Sequence, residues 1–291
     1  MIDPRGLRAR ARVLRAMRDW FDQQGYLEVP SPVLVPSPAM EPTLVALEAA
    51  DGYLRTSPEF ALKRVVASGL GRVYEIGSCF RDDEHGRWHR REFLMCEWYR
   101  VGGHLDDLQH EVEDLVGVCA DALDRPRPTF QRWTVQQAFE HATGLNPFGC
   151  RAQELSPEDA TWDDAFFRRW VADVEPALPP AVFLRDWPAS QAALARVVQT
   201  PVGLRAQRFE AYLNGIELAN AFDELRDGVE QRQRCVASRA EQERQGQRPH
   251  PIDEAFLDAV DRLPKAVGIA LGVDRLVATL MGWDNIGPGR V

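Results

Sequence analysis

Two alternating runs, Tyr74 to Arg81 and Phe93 to Tyr99, flank a charged loop and predict a β-hairpin. In the first run Glu75, Gly77, Cys79 and Arg81 share one face, opposite Tyr74, Ile76, Ser78 and Phe80. In the second, Met95, Glu97 and Tyr99 lie opposite Leu94, Cys96 and Trp98. A face carrying Arg81, Glu97 and Tyr99 is a polar platform for a charged ligand; the plain alternative is an edge hairpin with one solvated ion pair. Elsewhere apolar periodicity predicts helices near 7–24, 58–68, 105–123, 229–245 and 273–282, and strands near 205–213, 216–222 and 266–271. That mixture implies an α+β fold, an antiparallel sheet flanked by helices. Prolines 126, 128, 176, 179 and 180 mark 124–185 as an insertion on this scaffold. No repeat or low-complexity linker divides the chain, so residues 1–291 read as a single domain.

Asn214-Gly215 is a strong hairpin signal, because both residues accept positive φ. Strict pairing outward from it places Tyr212 opposite Glu217 and Glu210 opposite Ala219. Glu210 and Glu217 then become diagonal neighbours on one face, about 7–8 Å apart at the backbone. Such a pair suits a hard divalent cation that also binds substrate phosphates, and two solvated glutamates are the alternative. The same alternation turns Asn220 away, and a bulge or early helical turn would be needed to bring it to Glu217. Asn220 and Glu224 stand four apart and share a face if the chain is helical there. Ser57-Pro58-Glu59 reads as a helix start, with Ser57 as N-cap and Glu59 complementing the dipole. Arg275 falls in the first turn of a helix that follows a glycine-bounded strand. A cation there opposes the dipole, which points to a phosphate it must hold.

The chain is 45% hydrophobic, ample for a core, and carries 35 basic against 44 acidic residues. A net charge of −9 gives no global field for non-specific nucleic-acid binding. The arginine-rich N-terminus lacks the apolar core of a signal peptide and no stretch has membrane-spanning length, so a cytoplasmic protein is expected. Five cysteines without a CxxC pair, and six histidines without an HxxxH array, argue against structural zinc and disulfides.

Together the arginine-bearing hairpin, the Glu210/Glu217 hairpin and the strand-to-Arg275 helix resemble the catalytic domain of class II aminoacyl-tRNA synthetases. Gly25 through Pro32 is similar to motif 1, Phe80-Arg81 through Glu97 to motif 2, and Gly268 through Arg275 to motif 3. Thr56 to Glu59, Glu97 to Tyr99, and Gly215 to Leu225 are similar to the lysine-specific branch. That branch carries an N-terminal OB-fold anticodon-binding domain, and a motif 1 helix starting almost at Met1 leads us to expect none here. Asp186 to Val197 resembles a segment of the truncated paralogues that modify elongation factor P, the (R)-β-lysine ligase family, and His250 to Asp253 also fits.

The resemblance implies an enzyme, a ligase that forms an aminoacyl-adenylate from a lysine-type amino acid, with ATP and Mg²⁺, and transfers it to a lysine of elongation factor P. It assigns Arg81 to the α-phosphate and the substrate carboxylate, and Arg275 to the γ-phosphate. Asp83, Arg90, Glu217, Leu218 and Gly272 join them at ATP, and Glu210 and Glu217 hold the metal. Ser57, Glu59, Glu97, Tyr99, Asn220, Glu224 and Ala270 surround lysine or β-lysine. Departures from the family pattern are Arg90 in place of an asparagine, Ala221 in place of a glycine, and a C-terminus ending at Val291. A homodimer through motif 1 is expected, with tRNA and membrane not expected as partners. The rival expectations are a minimal lysyl-tRNA synthetase acting on tRNA and a silent regulatory paralogue.

Overall fold

A computed structural model describes residues 3–39, 44–82 and 86–290. The chain begins with α1 (Pro4–Gln23), capped by Asp3, whose carboxylate accepts from the Arg5 amide. A short strand β1 (Leu27–Glu28) follows, then a small sheet of β2 (Leu34–Val35), β3 (Glu48–Ala49) and β4 (Gly52–Leu54). Next come α2 (Glu59–Ala67), the hairpin β5 (Arg72–Phe80) and β6 (Glu92–Val101), and α3 (Leu105–Ala122). The proline-marked stretch contains β7 (Gln131–Thr134), α4 (Val135–Thr143), α5 (Ala152–Leu155) and α6 (Trp162–Arg169). It leads into β8 (Ala181–Pro188), β9 (Val197–Thr200), and the long hairpin β10 (Gly203–Leu213) and β11 (Ile216–Asp223). The chain closes with α7 (Gly228–Arg244), α8 (Glu254–Asp261), β12 (Ala266–Gly272) and α9 (Val273–Met281).

The main sheet runs β1-β5-β6-β12-β11-β10-β8-β7, with β9 paired to β10. Only its outer pairs, β1 with β5 and β7 with β8, are parallel. One face packs on α1, α3 and α9 over an aromatic core of Trp20, Phe21, Tyr26, Tyr74 and Trp98. In that core the Phe21 and Tyr74 rings stack at 4.1 Å. The proline-marked stretch adds its own cluster, built on Phe139, Phe166, Trp170 and Trp187, at the β8 end of the sheet. On the polar side, α2 packs on α8 through Phe60 and Phe256, stacked at 3.7 Å.

Glu111 of α3 ties the aromatic core to the sheet. Its carboxylate accepts from Tyr26 Oη (3.0 and 2.9 Å), Trp98 Nε1 (3.0 Å) and Arg100 Nη1 (3.0 Å). A buried carboxylate is tolerated when it is hydrogen-bonded and paired.

The β10–β11 hairpin departs from strict alternation. Leu213 pairs Ile216 and Tyr212 pairs Glu217, as expected, but Ala211 then pairs Ala219 and Glu210 pairs Asn220 rather than Ala219. Leu218 is the extra residue of a β-bulge, and beyond it every β11 side chain changes face relative to strict pairing. Asn220 thereby joins Glu210, Tyr212 and Glu217 on one face.

No helix among the described residues is long and apolar enough to cross a membrane. The five cysteines are free, four of them buried.

Glu111→Leu should lower stability by about 2–4 kcal/mol, because it leaves the Tyr26, Trp98 and Arg100 donors without their acceptor. Urea denaturation of the purified variant checks it, and a loss within 0.5 kcal/mol, the range of an ordinary surface change, contradicts the keystone role.

Candidate functional site

Register alone builds a polar row across the middle of the sheet. Glu210 pairs Asn220, Asn220 pairs Ala270, Ala270 pairs Glu97, and Glu97 pairs Glu75. The adjacent row of the same face reads Arg208, Phe222, Gly268, Tyr99 and Val73. Apart from Glu75 and Val73 at their β5 ends, these rows floor a cavity of about 350 Å³. Both ends of the first row are neutralised. Arg55, 2% exposed, donates from Nη1 to Glu75 (2.7 Å) and from Nε to the Ser78 carbonyl (2.9 Å). At the other end Arg208 ion-pairs with Glu210, which also accepts from Tyr212 Oη at 2.9 Å. Arg208 is held in place by the end of β8 and the segment that follows it. Its guanidinium lies 4.7 Å over the Trp187 ring and donates to the Gln191 carbonyl at 2.7 Å.

At one end of the cavity the groups are acidic. The α2 helix begins at Glu59, one residue later than Ser57-Pro58-Glu59 suggests, and the Glu59 amide donates to Ser57 Oγ at 3.0 Å. The Ser57 hydroxyl donates in turn to Glu97 Oε1 at 2.5 Å. Burial, reinforced by Glu59, pushes the Glu97 carboxyl up to about 8. Burial likewise raises Glu210 to about 8 against the pull of Arg208, and lifts the Tyr99 phenol well above its ordinary value. Glu224 is wholly buried, and its Oε1 has no hydrogen-bond partner. That atom lies against Gly268, where a Cβ would come within 2.3 Å of the Tyr99 ring and 2.4 Å of Glu224 Oε1. Only glycine fits this floor position.

Lys63, which sequence reasoning missed, bridges Glu59 and Glu224 with Nζ 2.6 Å from each. The signal was the Glu59/Lys63 spacing of four in a helix, with the lysine on a face that packs inward.

Arginines gather at the opposite end along the strand direction. Arg275, in the first turn of α9, donates from Nη1 to the Glu217 carbonyl (2.9 Å) and lies 3.4 Å from its carboxylate. Trp88 and His89, which precede β6, lie against it. Arg275 Nε donates to the Trp88 carbonyl at 3.3 Å, and Nη2 sits 2.6 Å from His89 Nε2. Arg81 lies just past β5, with its guanidinium 5.0 Å over the Phe93 ring, and lines the cavity with Arg90. Arg90 binds the carbonyls of Gly86 and His89. Asp83 lies outside the described residues.

Glu210 and Glu217 both line the cavity, each already beside an arginine. Arg208 on Glu210 and Arg275 on Glu217 thus supply positive charge beside the pair that the sequence assigned to a divalent cation. Among the described residues no group of three or more His, Cys, Asp or Glu forms a metal cage. Two carboxylates facing a phosphate-sized space still match Mg²⁺, which keeps few protein ligands and takes the rest from water and phosphate. Glu175, from the proline-marked stretch, lies 3.3 Å from Tyr212 Oη and was not anticipated from sequence. Leu218, Gly272 and Ala270 all line the same cavity.

The family model for class II tRNA synthetases (D, K and N) matches residues 4–288. The chain is similar to three relatives named elongation factor P–(R)-β-lysine ligase. That of Yersinia enterocolitica is 37% identical over 95% of this chain and 91% of the relative. The Vibrio cholerae protein is 36% identical over 96% and 92%, and that of Proteus mirabilis 34% identical over 95% and 91%.

Carboxyls raised in the folded state bind protons that the unfolded chain has already released. Between the ordinary carboxylate range and about 8, the folded protein therefore loses stability as pH rises. The ligand-free protein should melt several degrees lower at pH 8.5 than at pH 6, and Glu97→Gln should flatten that slope. Differential scanning fluorimetry across pH 5.5–9 reads it, and a melting temperature that climbs over this range would contradict the burial of ionisable carboxyls.

Proposed function

Because the chain belongs to the class II tRNA synthetases of the D, K and N group, we propose that it activates (R)-β-lysine with ATP and transfers it to a lysine of elongation factor P. The single observation that carries this reading is the polarity of the cavity along the strands. Glu59, Glu97 and Tyr99 stand at one end, and Arg81, Arg90 and Arg275 at the other. A substrate with two ammonium groups and one carboxylate suits that gradient, with its cations among the glutamates and its carboxylate directed toward the arginines.

In the first step a carboxylate oxygen of the amino acid attacks the α-phosphorus of ATP. The bond to the β-phosphate oxygen breaks and pyrophosphate leaves. Arg81 holds two anions together, the attacking carboxylate and the α-phosphate, with a guanidinium that carries several donors in a fixed plane. Arg275 exchanges its Glu217 and His89 contacts for the γ-phosphate, and Asn220 orients the carboxylate by donating to it from its side-chain amide nitrogen. Glu210 and Glu217 would hold Mg²⁺, which neutralises phosphate charge when bound.

In the second step the acceptor amine attacks the acyl carbon, the bond to AMP breaks, an amide forms and one proton passes to solvent. Proximity at the cavity mouth supplies much of the rate. The Ala270 methyl, between Asn220 and Glu97 in the row, favours one lysine isomer over another, since a methyl is worth about 1–3 kcal/mol in such a choice. A homodimer through motif 1 belongs to the same reading, supported by Leu27, Val33 and Leu34, apolar and exposed in that region.

Arg81→Ala should reduce amino-acid-dependent pyrophosphate exchange by about 10²–10³-fold or more, with an unchanged melting temperature. Near-normal exchange in the folded variant removes Arg81 from the chemistry.

The whole reading is tested by incubating the protein with ATP, Mg²⁺ and radiolabelled (R)-β-lysine, and offering elongation factor P or tRNA as acceptor. Label on an elongation factor P lysine, with tRNA charged poorly or not at all, is the expected result. The net −9 offers tRNA no long-range attraction. Efficient lysylation of tRNA without transfer to elongation factor P would overturn the proposal.

A further inference from the structure

The reaction just described makes no use of Lys63, a cation 1% exposed beneath the amine end of the cavity. Its Nζ lies 2.6 Å from Glu59 Oε1, 2.6 Å from Glu224 Oε2, and 5.9 Å from the centre of the Phe256 ring. Stability alone is a poor reason to keep it, because replacing a buried ionic cluster by apolar residues of similar volume is often neutral or stabilising.

Counting charge supplies a better reason. Three buried carboxylates, Glu59, Glu97 and Glu224, surround the amine end. The nearby acids are balanced elsewhere, Glu75 by Arg55 at 2.7 Å and Asp223 by Arg196 at 2.6 Å. Lys63 balances one of the three, so two negative charges face a ligand whose ammonium groups draw the raised carboxyls into their ionised form. Glu97 lines the cavity directly, and Glu224 Oε1, unpartnered, lies behind the cavity-lining Gly268, close to where its missing Cβ would stand.

We propose that Lys63 is an internal counter-ion that sets the charge this end presents to a bound ligand at −2 and orients Glu59 and Glu224, so that the cavity selects amino acids with two ammonium groups. Lys63 is thus a positioning residue, acting through two glutamates. The inference rests on the reading of a lysine-type substrate given above. It carries one consequence that packing does not share. Three carboxylates without Lys63 leave a bound diammonium ligand one negative charge in excess, whereas two carboxylates with Lys63 leave one positive charge in excess. Either excess is a buried unpaired charge. Removing Lys63 should therefore harm binding when Glu224 is present and help it when Glu224 is neutral.

Isothermal titration calorimetry with (R)-β-lysine and L-lysine on the wild type, Lys63→Met, Glu224→Gln and the double variant measures this sign. Lys63→Met should raise Kd about tenfold or more in the wild-type background. In the Glu224→Gln background the same change should lower Kd by about threefold or more, a difference set by one charge pair. Kd raised or unchanged by Lys63→Met in the Glu224→Gln background overturns the proposal and leaves Lys63 a packing role. If Lys63→Met alone does not fold, the two proteins carrying Glu224→Gln decide the matter by themselves. A wild type that binds neither isomer overturns the lysine-type reading and this inference with it, whereas a binding wild type with equal signs in both backgrounds overturns only the role of Lys63.

Discussion

Burying carboxylates without stranding their charge is the constraint on which the rest of this molecule depends. Glu59, Glu75, Glu97, Glu210 and Glu224 are each at most 7% exposed, and each would cost several kcal/mol if left ionised and alone. The fold answers with cations placed one by one: Arg55 on Glu75, Arg208 on Glu210, and Lys63 between Glu59 and Glu224. Glu97 accepts a hydrogen bond from the Ser57 hydroxyl but has no cation in direct contact among the described residues, and burial raises its carboxyl accordingly. The glutamate with the weakest compensation is the one on the cavity wall, where a ligand's cation completes the balance.

Several elements far from the cavity are explained by these partners. The end of β8 and the segment after it matter because Trp187 and the Gln191 carbonyl fix Arg208, which in turn holds Glu210. The small α2–α8 layer, with Phe60 stacked on Phe256, walls off Lys63 from water. Low local dielectric makes every such pairing stronger, and every missing one more costly. At the arginine end the pairs are looser and more exposed. Glu217 is 39% and Arg275 22% exposed at the side chain, which suits contacts that must be exchanged for phosphate.

Much of the scaffold was legible in the sequence. The β5–β6 hairpin, the Asn214-Gly215 turn and the glycine-bounded β12 follow from period-two patterning and turn chemistry, and α1, α3 and α9 from apolar spacing. The strand β8 and the helix α8 were not anticipated. The first carries a proline at its end and arginine and aspartate within it, and the second spans only eight residues, so neither offers a long periodic run. Glu175 was missed for a related reason: it sits in an irregular turn, and only the packing of that turn beside Tyr212 brings it to the site.

By itself the sequence determined which chemistry was present: the acidic residues, the two motif arginines, their order, and the alternation that puts Glu75, Glu97 and Arg81 on one strand face. Those are local properties, set by side-chain identity and by a two-residue period. Tertiary structure alone decided how the groups meet. The Leu218 bulge turns Asn220 to the face of Glu217, because strand register depends on pairing with both β10 and β12. Lys63 finds Glu224 across 161 positions of chain because α2 packs on α8, β5 and β6, which sets it beside the residue just past β11, a contact that no periodicity encodes.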